Sequence, residues 1–132
     1  MEEVVILSAK RTPIGKLGGD LAGASAVDLG VAAAQAAIKA ARIDPALLNQ
    51  AIFGNVMQAG SGQNVARQIG LKSGMATSST AMTVNEVCGS GLKAVRLGQA
   101  AIQLGEADAV LVGGTESMSQ VPYYAEAVRS GH

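Results

Sequence analysis

Four short apolar runs, spaced by stretches with a helical repeat, restrict this 132-residue chain more than any other feature. Val4 to Ala9, Ala51 to Val56 and Ala109 to Val112 are apolar runs with few polar breaks, the pattern of strands buried on both faces. Thr83, Val84 and Val87 suggest a fourth, shorter strand. Strands apolar on both sides belong to a parallel sheet covered by helices, because a parallel pair needs a crossover and the crossover lies on a face. The expected fold class is therefore α/β, a mostly parallel sheet with helices on both faces. All four segments are expected in one sheet, with right-handed crossovers placing Val4 and Val110 side by side in the middle.

The intervening stretches carry the helices. Ser25-Ala26-Val27-Asp28 has capping-box spacing, in which each end's side chain satisfies the other's free backbone donor. Val27, Val31, Ala34, Ile38 and Ala41 then fall on one face, and the helix should end before Asp44-Pro45, whose proline suits a short turn. Gln58 to Gly74 is rich in glycine and amides, with a short helical pattern from Val65 to Leu71; Ser73 to Thr80 reads as a connector. From Leu92 to about Leu104 a helix is apolar on most of its circumference, as expected of one sandwiched between layers, and Gly105 suits its C-terminal cap. With aromatic residues at 2%, no Trp and 17 Gly, the core must be built from Ala, Val, Ile and Leu in close contact.

Charge and cysteine usage exclude several classes. Ten basic and ten acidic residues cancel, and no Lys/Arg cluster interleaved with aromatics appears, which argues against a nucleic-acid partner. Met1-Glu2-Glu3 is acidic where a secretory signal is basic, and Val4 to Leu7 is too short for a signal or a membrane span, so a cytoplasmic protein without a membrane partner is expected. One cysteine makes no internal disulfide, and with one histidine it makes no Cys/His zinc cluster, so no metal site is expected. The loop Lys10-Arg11-Thr12-Pro13-Ile14-Gly15-Lys16 carries three basic residues, to which no ligand is assigned.

The sole cysteine stands in Met82-Thr83-Val84-Asn85-Glu86-Val87-Cys88-Gly89-Ser90-Gly91-Leu92-Lys93, between a strand pattern and a helix pattern. Gly89 and Gly91 permit a sharp turn and keep side chains out of the way of an approaching molecule. Cys88 is thus expected at a helix N-terminus, where free N–H groups and the helix dipole favour the thiolate, the nucleophilic form of cysteine. Those same donors suit the oxyanion of a thioester under attack. The competing reading is a buried structural cysteine. A cysteine nucleophile normally works with a histidine, and the one histidine is His132, the last residue.

Four blocks, in order, resemble the thiolases, and among them the acetyl-CoA C-acetyltransferases. They are Arg11-Thr12-Pro13-Ile14-Gly15, Gly62-Gln63-Asn64-Val65-Ala66-Arg67-Gln68, the Thr83 to Ala94 stretch around Cys88, and Gly113-Gly114-Thr115-Glu116-Ser117-Met118-Ser119. Val65 departs from the proline frequent at that place in the family. The resemblance implies that Cys88 is the catalytic nucleophile, S-acylated by one acyl-CoA with release of CoA. A second cysteine then removes a proton from a second acetyl-CoA, and the carbanion attacks the acyl-enzyme in a Claisen condensation, giving acetoacetyl-CoA; the reverse is thiolysis. No cofactor is implied, since the CoA thioesters are substrates, and homodimers or homotetramers are expected. The resemblance also implies a five-layer αβαβα architecture. Residues 1–116 would supply an incomplete N-terminal half-domain and 117–132 the start of an inserted loop domain, with the histidine and second cysteine in a later part of a longer chain. Glu116 and Met118 are read as structural, holding the end of the last strand and the turn beyond it.

Two other readings compete. One is a non-catalytic fragment that only pairs with other chains. The other is an oxidoreductase domain, because Gly89-Ser90-Gly91-Leu92-Lys93-Ala94 fits the dinucleotide form G-x-G-x-x-A. Against the latter, the acidic residue some twenty positions on, Asp108, precedes the next strand, where ribose recognition needs it at that strand's end.

Overall fold

A computed structural model describes residues 3–131 and shows a parallel sheet of three strands. These are β1 (Gln50–Gly54), β2 (Thr80–Val84) and β3 (Val110–Gly114), in the order β2-β1-β3, with Ile52 level with Met82 on one side and Val112 on the other. Between them run α1 (Ala26–Ala41), α2 (Val65–Lys72) and α3 (Ser90–Gln103). Side chains of a strand alternate between faces, and the two faces bury different partners. Ala51, Phe53 and Leu111 join Val27, Ala34, Ile38, Val65 and Ile69 in the main core, under α1 and α2. Val110 and Val112 lie on the other face, against the small-residue stripe of α3 that includes Ala94, Gly98 and Ala101.

Local chemistry sets the helix ends. Ser25 Oγ accepts the Asp28 N–H (3.0 Å), and the Asp28 carboxylate accepts the Ser25 hydroxyl (2.7 Å) and N–H (3.2 Å), so the expected capping box forms. Arg42, at φ 54°, ends α1 in the left-handed region. α2 starts at an Asn64 cap that is wired to β2: Thr83 Oγ1 donates to Asn64 Oδ1 (2.9 Å) and accepts the Ala66 N–H (3.0 Å). The Arg67 guanidinium donates to the carbonyls of Ser79 and Thr77, fixing the connector that leads into β2. No described helix is long and apolar enough to cross a membrane.

Three expectations are corrected. Val4 to Ala9 is not a strand and not buried: it has no place in the sheet, and Val5, Ile6 and Leu7 are 63%, 77% and 64% exposed. Apolar side chains alone do not make a strand; the backbone must find a ladder partner, and a cavity of about 560 Å³ separates this segment from the open edge of β3. In consequence the middle place belongs to β1, which pairs with both β2 and β3, rather than to Val4 beside Val110. Lastly, α3 is covered on one side only: its small residues are buried, while Leu92 is 80% exposed and Leu104, just past its end, is exposed too. The α/β class, the parallel sheet and the helices on both faces stand. Met1, Glu2 and His132 lie outside the described residues.

Candidate functional site at the head of the third helix

The carboxyl ends of all three strands meet the N-terminus of α3. Gly54, closing β1, lies so near this helix that a Cβ there would stand 2.5 Å from Ser90 Cβ and 2.6 Å from the Ser90 carbonyl carbon. A Cβ on Gly114, closing β3, would come to 3.2 Å from Gly91 Cα. Glycine is needed at this junction because any side chain would push the helix off the sheet.

The link from β2 into α3 is a tight turn. The N–H groups of Gly89 and Ser90 donate to the carbonyls of Glu86 (3.1 Å) and Val87 (3.2 Å), and the Val87 N–H donates to Asn85 Oδ1 (2.9 Å). Ser90, only 5% exposed, staples it: its hydroxyl donates to the Val87 carbonyl (2.6 Å) and accepts the Glu86 N–H (2.8 Å). Val87 sits at φ 53°, a region a β-branched residue occupies only when its surroundings force it. Pattern alone assigns Val87 to the strand, since nothing in its side chain reveals a residue bent out of its preferred backbone region.

Cys88 follows directly, as a free and exposed thiol, so the reading of a buried structural cysteine is set aside. Glu86 and Lys93 form an ion pair (2.8 Å), one residue from each side of the turn. Gly89 caps α3 without a side-chain hydrogen bond, and among the described residues no hydrogen bond takes the N–H groups of Gly91 or Leu92. An uncapped helix start attracts negative charge through these free donors. A thiol in that place can attack an electrophile arriving from solvent, with donors at hand for the charge that develops. His132 lies outside the described residues, and the sequence holds no second cysteine.

Glu116 and Asn55 have a larger part than spacing reveals. The Glu116 carboxylate accepts three donors on the chain leaving β1: Asn55 Nδ2 (2.9 Å), the Val56 N–H (3.0 Å) and the Met57 N–H (3.1 Å). Asn55 is 1% exposed; its amide also donates to the Thr115 carbonyl (2.9 Å), and its N–H to the Val84 carbonyl (3.0 Å). Glu116 therefore ties the end of β3 to the end of β1. Ser117 and Thr115 secure the same stretch to the start of α1 through the carbonyls of Ala24 and Ala26. Met118 is exposed. The basic loop from Lys10 to Lys16 borders a cavity of about 490 Å³ next to Glu116. Asp108 lies before β3, at the opposite end of the sheet from Cys88, where its N–H donates to Asn49 Oδ1 (2.8 Å). That position removes the support for ribose recognition.

A profile of the family described as "Thiolase, N-terminal domain" matches residues 4–132. The chain is 52% identical over 133 residues to an acetyl-CoA acetyltransferase of Escherichia coli (strain K12), a match covering 100% of this chain and 34% of that protein. It is 47% identical over 131 residues to the acetyl-CoA acetyltransferase of Cupriavidus necator, covering 99% and 33%. The crystal structure of the Acat5 thiolase from Ascaris suum in complex with coenzyme A superposes with a TM-score of 0.91 at 44% identity, covering 92% of this chain and 32% of that one. The chain thus spans about a third of the length of these relatives.

Proposed function

The chain belongs to the thiolase family, and on that footing we propose that it is the nucleophile-bearing part of an acetyl-CoA acetyltransferase, with Cys88 as the catalytic residue. One observation carries this reading: the only thiol is exposed on a turn held at an unfavourable φ, directly before an uncapped helix. Cys88 Sγ, as thiolate, adds to the thioester carbonyl of acetyl-CoA. The carbonyl electrons move onto oxygen, and the free N–H groups at the start of α3, those of Gly91 and Leu92, are donors close to Cys88 in sequence. Collapse of this adduct expels CoA as its thiolate and leaves S-acetyl-Cys88, and in the family's chemistry a second cysteine, as thiolate, then takes an α-proton from another acetyl-CoA and becomes the thiol. The carbanion so formed attacks the acetyl group and returns the Cys88 thiolate, giving acetoacetyl-CoA. Support for an acyl-CoA substrate comes from the names of the relatives and from the coenzyme A in the Ascaris suum thiolase.

The proposal extends to assembly and setting. A homodimer or homotetramer is favoured by the exposed apolar residues Leu92, Val5, Ile6 and Leu7, and the cytoplasm by a free, exposed thiol, which persists where glutathione keeps thiols reduced. Residues 117–132 would open an inserted loop domain. The test is incubation with acetyl-CoA followed by peptide mass spectrometry. Acetyl on the Cys88 peptide is the expected result, and its absence would remove Cys88 from the role of nucleophile.

A further inference from the structure

Among the described residues, the turn that holds the proposed nucleophile is what sets its position. Tracing what holds the turn leads away from Cys88 by a short, continuous route. Ser90 clamps the backbone of Glu86 and Val87 on either side of the bond that Val87 strains. Ser90 in turn rests on Gly54, the last residue of β1, closely enough to exclude a Cβ. The Gly54 carbonyl accepts the Thr115 N–H (2.9 Å), and the residue after it, Asn55, donates its N–H to Val84, the last residue of β2. Everything that fixes Gly54 and Asn55 therefore fixes the floor on which the Cys88 turn stands.

Glu116 is the one charged group in that floor. Its two oxygens collect three donors from consecutive residues, Asn55, Val56 and Met57, where the chain leaves the sheet. Hydrogen bonds to a carboxylate are stronger than those between neutral groups, and a carboxylate accepting from two successive backbone N–H groups fixes direction as well as distance. We infer that Glu116 is a positioning residue for Cys88: its carboxylate holds the carboxyl end of β1 in the place against which Ser90 seats the reactive turn. This deepens the proposed function and rests on it. Glu116 touches neither the thiol nor, on this reading, the substrate.

The inference separates from a purely structural role in one measurement. A structural role lowers stability and leaves each folded molecule as reactive as before. A positioning role lowers the reactivity of molecules that are still folded, and more for a reaction with a demanding geometry than for one without. The chain has one thiol, so both reactions report on Cys88 alone. The experiment compares the rate of Cys88 acetylation by acetyl-CoA with its alkylation by iodoacetamide, in the wild-type chain and in Glu116→Ala and Glu116→Gln, each normalised to the folded fraction from circular dichroism. Misplacing a reacting group by about 1 Å costs up to about a hundredfold, so acetylation in Glu116→Ala should fall about ten- to a hundredfold while alkylation stays within a few-fold. Glu116→Gln keeps one accepting oxygen for Asn55 and Met57 and should fall between. Should Glu116→Ala fail to fold, Glu116→Gln decides alone, since it too must slow acetylation more than alkylation. Wild type acetylated and both variants equally fast per folded molecule would overturn the inference and leave the proposed function standing. Wild type taking no acetyl would overturn both.

Discussion

Gly54→Ala tests the junction between sheet and helix by a single methyl group. The added Cβ would stand 2.5 Å from Ser90 Cβ, 2.6 Å from the Ser90 carbonyl carbon and 2.8 Å from Gly91 N. Ordinary carbon contacts lie at about 3.5–4.0 Å, so the start of α3 must retreat by about 1 Å. Two of the three atoms are backbone, and no rotamer change relieves them. Overpacking of this kind costs about 1–3 kcal/mol. At about 4 °C per kcal/mol for a chain of this size, and provided unfolding is two-state, the predicted fall in thermal midpoint is about 4–12 °C. Gly23→Ala is the control, because a Cβ there meets nothing within 4 Å; it should change the midpoint by no more than about 2 °C. Since Ser90 must move, its hydrogen bonds to Glu86 and Val87 loosen as well, and Cys88 acetylation should slow along with the loss of stability. Calorimetry and timed mass spectrometry read the two effects. A Gly54→Ala chain that melts with Gly23→Ala and takes up acetyl at the wild-type rate would refute the claim that this close approach seats the turn.

Four further predictions concern the same chain. Cys88→Ser should end acetyl uptake with an unchanged circular dichroism spectrum, because the hydroxyl is similar in size and far less ionised; any acetyl still transferred would have to sit elsewhere. The Ser25 hydroxyl, and then its backbone N–H, donate to Asp28 and hold its carboxyl below the ordinary range. That linkage stabilises α1 above the ordinary carboxylate value, about pH 3.9, and is lost as pH falls through the lowered native value, so an NMR titration should show Asp28 returning upward in Ser25→Ala. Self-association should grow with concentration through Val5, Ile6, Leu7 and Leu92, and a monomer at every concentration in sedimentation would contradict it. With one cysteine and one histidine in the sequence, the chain alone should acetylate once and form no acetoacetyl-CoA, since each missing acid–base step is typically worth about 10²- to 10⁴-fold; steady turnover abolished by Cys88→Ser would refute this.

Features written in local chemistry were legible in the sequence. The Ser25–Asp28 box, the turn at Pro45 and the helix that follows Cys88 depend on neighbours within a few positions; the first two formed where spacing placed them, and the helix, expected from Leu92, opens two residues earlier at Ser90. The strand at Val4 failed for the opposite reason: its side chains fit a buried strand, but its ladder partner has to come from elsewhere, and the edge of β3 stands across a cavity. A one-dimensional pattern reports what a segment can bury, and pairing is a property of two segments.

The candidate site shows the same division at closer range. The placement of Cys88 was legible, because a thiol just ahead of two glycines, between a strand pattern and a helix pattern, marks a turn; on spacing alone, attack on a substrate and packing weighed equally. The positive φ of Val87 and the triple acceptance by Glu116 were not legible, and both belong to what lies underneath. Val87 bends because Ser90 grips the carbonyl of Val87 and the N–H of Glu86, and Ser90 is placed by a glycine 36 positions earlier in the chain. Glu116 meets its donors across sixty residues, where no periodicity connects the two ends. A backbone outlier of this kind costs about 1–3 kcal/mol and persists only where surrounding contacts over-determine it. The contacts that meet that cost run from Ser90 through Gly54 and Asn55 to Glu116, so the strain at Val87, next to the thiol, is held in place by the ends of the strands as well as by the turn's own hydrogen bonds.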